Sequence, residues 1–106
     1  CRMIRKQDIT TFEYTEGAVI WDVRDPSAYA EGHLKGAVNL PIDTLNDQSL
    51  QSVATDAPIY ILCGGGSKAP RAAEKLEQID ASREYVILMG GTRAARDAGI
   101  SLEQGA

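Results

Sequence analysis

The chain has 106 residues and a net charge of −4, and 43% of its residues are hydrophobic. This length and composition are typical of one globular domain with a modest core, here expected to span residues 1–106. The acidic balance argues against a nucleic-acid partner, and no apolar run approaches the ~18 residues of a membrane-spanning helix. The non-methionine start is consistent with a domain excised from a larger protein.

The cysteine and histidine content restricts the classes of site. Two cysteines, Cys1 and Cys63, are too few for a disulfide scaffold, which favours a reducing, cytoplasmic compartment. The one histidine, His33, and the lack of a Cys-x-x-Cys motif argue against a metal site. We therefore expect neither a metal nor an organic cofactor.

The first predicted elements are a strand and a short helix. The apolar run 18–21, with Trp21 in the core, does not alternate with polar residues and predicts a strand covered on both faces. Asp25 as a cap and Pro26 at the first helical position predict a helix that ends near Gly32.

The next segment predicts a weaker strand and a second helix. The short run 37–40 is followed by Pro41, which limits it as a strand. Residues 42–53 predict one helix. Its core-facing positions are expected to be Ile42, Leu45, Leu50 and Val53.

The most regular helix follows a third apolar run, 59–62, and begins near Ser67. Its apolar positions, expected to face the core, are Ala69, Ala72, Ala73, Leu76 and Ile79. A fourth run, 85–89, predicts another strand, and a last helix over 92–98 is capped by Gly99. Strands that alternate with helices predict an α/β domain with a mainly parallel sheet of about five strands and helices on both faces.

Cys63 is the main candidate for chemistry, because it stands between a buried strand and the start of a helix. Helix N-termini and nearby cations favour the thiolate form of cysteine, and Lys68 supplies a cation. Three glycines, Gly64, Gly65 and Gly66, allow the main-chain N–H groups to curl inward around an anion. Such a loop would hold a thiolate or a persulfide; the alternative is that Cys63 is an inert, buried strand-end residue.

Three phosphate or nucleotide sites are weighed against this hypothesis. A Walker A motif fails because Ala69 stands where Ser or Thr is needed. The Gly64-x-Gly66-x-x-Ala69 spacing matches a dinucleotide fingerprint, but no acidic residue ends the next strand. A cysteine phosphatase needs Arg six places after the cysteine, and that place is also Ala69.

Three predicted strand ends should meet at one edge of a parallel sheet, because sites in such sheets lie at the carboxyl ends of the strands. They carry the pair Asp22 and Arg24, then Cys63, then Gly90-Gly91. Asp22 and Arg24 are expected to form an orienting ion pair rather than to react. His33 is expected to be a hydrogen-bonded structural residue rather than a general base.

Two sequence blocks carry a resemblance to a known family. The first reads Asp22-Val-Arg24-Asp25-Pro-x-x-Tyr29-x-x-Gly32-His33-Leu34-x-Gly36-Ala37-x-Asn39-x-Pro41. The second is Cys63-x-x-Gly66-x-Lys68, with a weaker third piece at Gly90-Gly91, Ala94 and Ala98-Gly99. Together they resemble the rhodanese-like family of sulfurtransferases, in its single-domain form, over about residues 18–99.

The resemblance implies a thiosulfate or persulfide sulfurtransferase in which Cys63 carries the sulfur as a persulfide. The donor would be thiosulfate or a persulfide, and the acceptor a small thiophile or a protein thiol. The anion-binding loop it implies consists of Gly64, Gly65, Gly66, Ser67, Lys68 and Ala69, with Asp22 and Arg24 in support. Departures from the family are Gly64, where relatives often carry a basic residue, and Ala95, where many carry Trp.

Two other functions stay open at this stage. One is a regulatory or docking rhodanese module of a multidomain protein, with little or no catalysis. The other is arsenate or phosphate chemistry in the same fold, against which Ala69 argues.

Overall fold

The computed structural model describes residues 4–54, 56–64 and 68–105, and its centre is a sheet of five parallel strands. In chain order the strands are β1 (Ile4–Asp8), β2 (Val19–Asp22), β3 (His33–Leu34), β4 (Ala37–Asn39), β5 (Ile59–Leu62), β6 (Tyr85–Met89) and β7 (Leu102–Glu103). The central sheet has the order β1-β6-β5-β2-β4, and β3 and β7 form a separate antiparallel pair. The predicted parallel α/β sheet is confirmed.

Within the described ranges, four helices connect the strands: α1 (Pro26–Glu31), α2 (Asp47–Gln51), α3 (Lys68–Ile79) and α4 (Gly91–Asp97). Short 3-10 turns lie at Ile9–Thr11 and Ile42–Thr44. Among the described residues, no helix is long and apolar enough to cross a membrane.

The sheet separates two hydrophobic cores, because successive side chains of a strand point to opposite faces. In β2, Trp21 joins the core that includes α3, whereas Ile20 joins the core that includes α4. In β5, Ile61 and Leu62 divide in the same way. This double coverage explains the continuous apolar runs and confirms the predicted helices on both faces.

The single helix predicted over 42–53 is wrong. After the turn at Ile42–Thr44 the chain is extended at Leu45, and Asn46 then caps the new helix α2. The Asn46 side chain accepts a hydrogen bond from the Ser49 amide at 3.2 Å, and the Ser49 hydroxyl accepts one from the Asn46 amide at 3.3 Å. Asparagine at this position favours a helix start, so the segment divides in two. The predicted core positions Leu45, Leu50 and Val53 are nevertheless buried.

The inward face of α3 is confirmed except at its last residue. The buried residues of this helix are Ala69, Ala72, Ala73 and Leu76. Ile79, expected in the core, is 39% exposed and is the last residue of the helix. The strand β1 and the β3–β7 pair have no counterpart in the predicted elements.

Candidate active site

Cys63 lies directly after β5, the middle strand of the sheet, and its residue is 1% exposed. The neighbours of β5 are β6 and β2, so the ends of these strands flank the cysteine on both sides. The helix α3 begins five residues later, at Lys68. The predicted order of strand, cysteine and helix start is therefore present, with the sulfur at the carboxyl edge of the sheet.

The ion pair expected between Asp22 and Arg24 is present at the end of β2. Asp22 is fully buried, and its Oδ2 accepts a hydrogen bond from Arg24 Nη2 at 2.6 Å, while its Oδ1 accepts one from Nε at 2.9 Å. Nη2 also donates to the Gly32 carbonyl oxygen at 2.7 Å, so the guanidinium satisfies two partners. A buried carboxylate needs such a charge-assisted, two-point contact.

Arg24 also approaches the loop that follows Cys63. A Cβ placed on Gly64 would lie 3.6 Å from Arg24 Cδ, which is ordinary van der Waals contact. The aliphatic stem of Arg24 thus lies beside the first loop residue while its head group is held by Asp22. This contact brings the end of β2 to the site, as the sequence predicted.

The end of β6 closes against Cys63 from the other side. Gly90 and Gly91 both have positive φ, of +87° and +59°, and they lead directly into α4. The amide of Thr92 donates to the Cys63 carbonyl oxygen at 2.8 Å, and the amide of Arg93 donates to the Gly64 carbonyl oxygen at 2.9 Å. The third predicted strand end is therefore in direct contact with the cysteine.

Two residues of the predicted anion-binding loop are described beyond Gly64. The Lys68 side chain is 42% exposed, and its Nζ lies 4.0 Å from Asp25 Oδ1. Ala69 is fully buried in the first turn of α3, so it can offer only its main chain. The other predicted loop residues, Gly65, Gly66 and Ser67, lie outside the described residues, as does Cys1.

His33 is held as a structural residue. Its ring stacks on Tyr29, with centroids 3.7 Å apart, and its Nδ1 lies 2.8 Å from the Tyr29 carbonyl oxygen. The Tyr29 hydroxyl in turn donates to the Ala37 carbonyl oxygen at 2.6 Å. Burial, together with the negative charge of Asp22, raises the pKa of Tyr29. These contacts join α1, the short strand β3 and the start of β4.

Sequence reasoning missed the contribution of Asp25, Thr92 and Arg93. The sequence predicts only a capping role for Asp25, yet its side chain makes no capping hydrogen bond, and its Oδ1 lies 4.0 Å from Lys68 Nζ. Thr92 and Arg93 act through main-chain amides, which no side-chain pattern reveals. The usable signal was the Gly90-Gly91 pair, because two adjacent glycines at a strand end indicate a close approach of backbone.

The chain is similar in sequence and in fold to several known proteins. The chain is 39% identical over 72 residues to a protein of Pseudomonas entomophila named thiosulfate sulfurtransferase GlpE, a match that covers 68% of this chain and 65% of that protein. The crystal structure of the Rhodanese_3 like domain of the Anabaena protein Alr3790 has a TM-score of 0.72 and 31% identity, covering 82% of this chain and 99% of that one.

A third relative carries the same fold within a longer chain. The structure of reduced Bacillus anthracis CoADR-RHD matches with a TM-score of 0.67 and 32% identity, covering 77% of this chain but 14% of that one. The family model described as Rhodanese-like domain matches residues 7–98, which include every described residue of the site. The chain therefore belongs to the rhodanese-like domain family.

Proposed function

We propose that this domain is a sulfurtransferase that carries a sulfane sulfur on Cys63. The observation that supports this most directly is the position of Cys63 at the carboxyl end of the central strand, five residues before a twelve-residue helix. The N-terminus of that helix favours an anion, as does the ammonium group of Lys68. Relatives named thiosulfate sulfurtransferase point to the same chemistry.

The proposed reaction has two displacements at sulfur. The Cys63 thiolate attacks the outer sulfur of thiosulfate, the sulfur–sulfur bond breaks, and sulfite leaves with the bonding electron pair. An acceptor thiolate then attacks the outer sulfur of the Cys63 persulfide, and the Cys63 thiolate leaves. The two steps conserve electrons, so no oxidant or reductant is consumed.

In this proposal the remaining site residues hold the anions. Lys68 and the main-chain amides from Gly64 to Ala69, including those of Gly65, Gly66 and Ser67, would contact the donor and the persulfide. The Asp22–Arg24 pair would keep the first loop residue in place through the contact of the Arg24 stem with Gly64. A persulfide donor, a protein thiol as acceptor and a cytoplasmic location belong to the same hypothesis.

The test is intact-protein and peptide mass spectrometry after incubation with thiosulfate. We expect a gain of one sulfur atom on the Cys63 peptide, reversed by a thiol acceptor. The Cys63→Ala variant should gain nothing, and Cys1→Ser, which removes the other cysteine, should gain as much as the wild type. A folded protein whose Cys63 stays unmodified at millimolar thiosulfate would contradict the proposal.

A second candidate is a regulatory or docking module with slow or no turnover. It is favoured by the Bacillus anthracis structure, in which a matching domain is a small share of the whole chain. Steady-state sulfur transfer separates the two candidates. Loading of Cys63 with negligible turnover to any thiol acceptor would favour the module, and rapid turnover by the isolated domain would argue for the enzyme.

A further inference from the structure

The first turn of α4 is hydrogen-bonded to the main chain at Cys63 and Gly64. Its two amides, from Thr92 and Arg93, donate to the carbonyl oxygens of Cys63 and Gly64 at 2.8 and 2.9 Å. We name these two hydrogen bonds the α4 clamp. They join the helix that follows β6 to the residues that follow β5, so the clamp links the ends of these two neighbouring strands.

Gly91 is what permits this approach. A Cβ added to Gly91 would lie 2.0 Å from the Cys63 carbonyl oxygen, 2.9 Å from its carbonyl carbon and 3.1 Å from the Gly64 carbonyl carbon. All three atoms are main chain, so they cannot swing away as the tip of a flexible side chain can. The φ of +59° also disfavours any residue with a Cβ. The position is therefore closed to every other residue unless the Cys63 backbone moves.

The clamp determines which way the first loop peptide faces. A trans peptide is planar, with its C=O and N–H pointing in opposite directions. Because the Cys63 carbonyl points at Thr92, the N–H of Gly64 points away from α4. If the Cys63–Gly64 peptide were turned over, its carbonyl oxygen, and not the Gly64 N–H, would face away from α4. A carbonyl dipole repels a nearby anion, whereas an N–H stabilises it.

We propose that Gly91 is a positioning residue for Cys63: by admitting the α4 clamp, it directs the Cys63 and Gly64 carbonyls to the α4 amides, leaves the Gly64 N–H rather than a carbonyl on the side away from α4, and so favours the thiolate. The inference builds on the proposed function in taking Cys63 as the nucleophile. It does not depend on the sulfur donor, and its test uses none.

The test measures alkylation of Cys63 by iodoacetamide across pH, in a Cys1→Ser background, with the modified peptide quantified by mass spectrometry. Gly91→Ala should raise the midpoint of the pH profile by about one unit and slow alkylation at neutral pH by roughly tenfold. The matched control is Gly99→Ala. Gly99 also has positive φ, +82°, but a Cβ there meets nothing within 4 Å. Gly99→Ala should be destabilised only by the strain of its positive φ, and it should keep the wild-type midpoint.

A second pair of variants guards against misfolding of Gly91→Ala. Arg93→Pro removes one clamp donor at the first turn of a helix, where proline is tolerated, whereas Arg93→Ala changes the exposed side chain and keeps the N–H. The midpoint should shift further in Arg93→Pro than in Arg93→Ala. Circular dichroism at the assay temperature establishes that each protein is folded.

The outcomes separate this inference from the proposed function. A folded Gly91→Ala with the wild-type midpoint, an equal shift in Gly99→Ala, or equal midpoints in the two Arg93 variants would overturn the positioning role. A wild-type protein that thiosulfate does not load would contradict sulfur transfer, yet the alkylation profiles would still report on the clamp.

Discussion

At the scale of single residues, the contact between Lys68 and Asp25 bears on the affinity for anions. Their side chains are 42% and 76% exposed, and the charged atoms are 4.0 Å apart. A pair this exposed contributes only ~0–1 kcal/mol to stability. If the proposed function holds, its larger effect is on an incoming dianion, which Lys68 would attract and the Asp25 carboxylate would repel.

Asp25→Asn should therefore improve binding of an anionic donor. We expect the KM for thiosulfate to fall by about two- to fivefold at low ionic strength, with kcat nearly unchanged. The substitution removes both the repulsion of the donor by Asp25 and the competing attraction of Asp25 for Lys68, which at 4.0 Å in water is worth roughly 1 kcal/mol. Steady-state kinetics at 20 and 500 mM salt should show the gain disappearing as screening increases. Asp47→Asn, which removes an exposed charge from the start of α2, is the control. An unchanged KM in Asp25→Asn at low salt would argue against anion binding by Lys68.

At the scale of elements, Arg83 joins the segment after α2 to the end of α3. The residue is 4% exposed. Its guanidinium donates to the carbonyl oxygens of Leu50 at 2.9 Å and Ala54 at 3.1 Å, and to Asp80 Oδ2 at 3.1 Å. Hydrogen bonds from Ser82 and then Arg83 lower the pKa of Asp80, so its carboxylate stays charged. One buried cation therefore holds α2 and the residues just after it against the end of α3.

Arg83→Ala should destabilise the protein by ~3 kcal/mol, since it removes three hydrogen bonds of a buried guanidinium together with the packing of its side chain. Urea unfolding followed by circular dichroism measures the loss. Arg5→Ala is the matched control, because Arg5 pairs with Glu84 at the surface, with side chains 54% and 37% exposed. That variant should lose less than ~1 kcal/mol. If Arg83→Ala and Arg5→Ala lost similar free energies of unfolding, the buried contacts of Arg83 would stabilise the protein no more than the exposed pair of Arg5.

The elements show where sequence reasoning succeeds and fails. The strands β5 and β6 were predicted at their observed bounds because both are buried on both faces and read as unbroken apolar runs. The strand β1 was missed because only Ile4 of its five residues is strongly apolar; its place comes from main-chain pairing with β6. Two-residue strands such as β3 leave no pattern at all.

The site also has parts that the sequence predicts and parts that it does not. Cys63, Asp22, Arg24 and Gly90-Gly91 could be brought together from the rule for parallel strand ends. The α4 clamp could not, because it depends on how far α4 approaches β5 in three dimensions. The contact between Asp25 and Lys68 could not be predicted either, because Asp25 precedes α1 and Lys68 begins α3.

At the scale of the whole molecule, the sheet buries one ionisable hydroxyl deep in the core. Tyr85 is fully buried at the start of β6, and its hydroxyl donates to the Asp80 carbonyl oxygen at 2.7 Å. Burial, followed by the nearby charge of Asp80, raises the pKa of Tyr85 from 10.0 to about 12. The Tyr85 hydroxyl therefore ionises at a higher pH in the folded state than in the unfolded chain.

This difference predicts alkaline destabilisation. The stabilising contribution is fully present below pH 10, where both states are protonated, and is lost as pH rises toward about 12, because only the unfolded chain ionises in that range. Urea unfolding at stepped pH should show a decline that is shallower in Tyr85→Phe, which costs ~1 kcal/mol at neutral pH. Tyr14→Phe, at a tyrosine that is 41% exposed, should keep the full decline. An identical slope in wild type and Tyr85→Phe would contradict the assignment.

The two outermost strands have a consequence for how the protein behaves in a crowded solution. One border, β1, carries the exposed charged residues Arg5, Lys6 and Asp8, and the other, β4, has three residues and is followed within two positions by Pro41. Short or charged borders are poor templates for another chain to extend. In the part of the chain that the structure describes, both borders of the five-stranded sheet therefore offer a neighbouring copy little main chain to pair with.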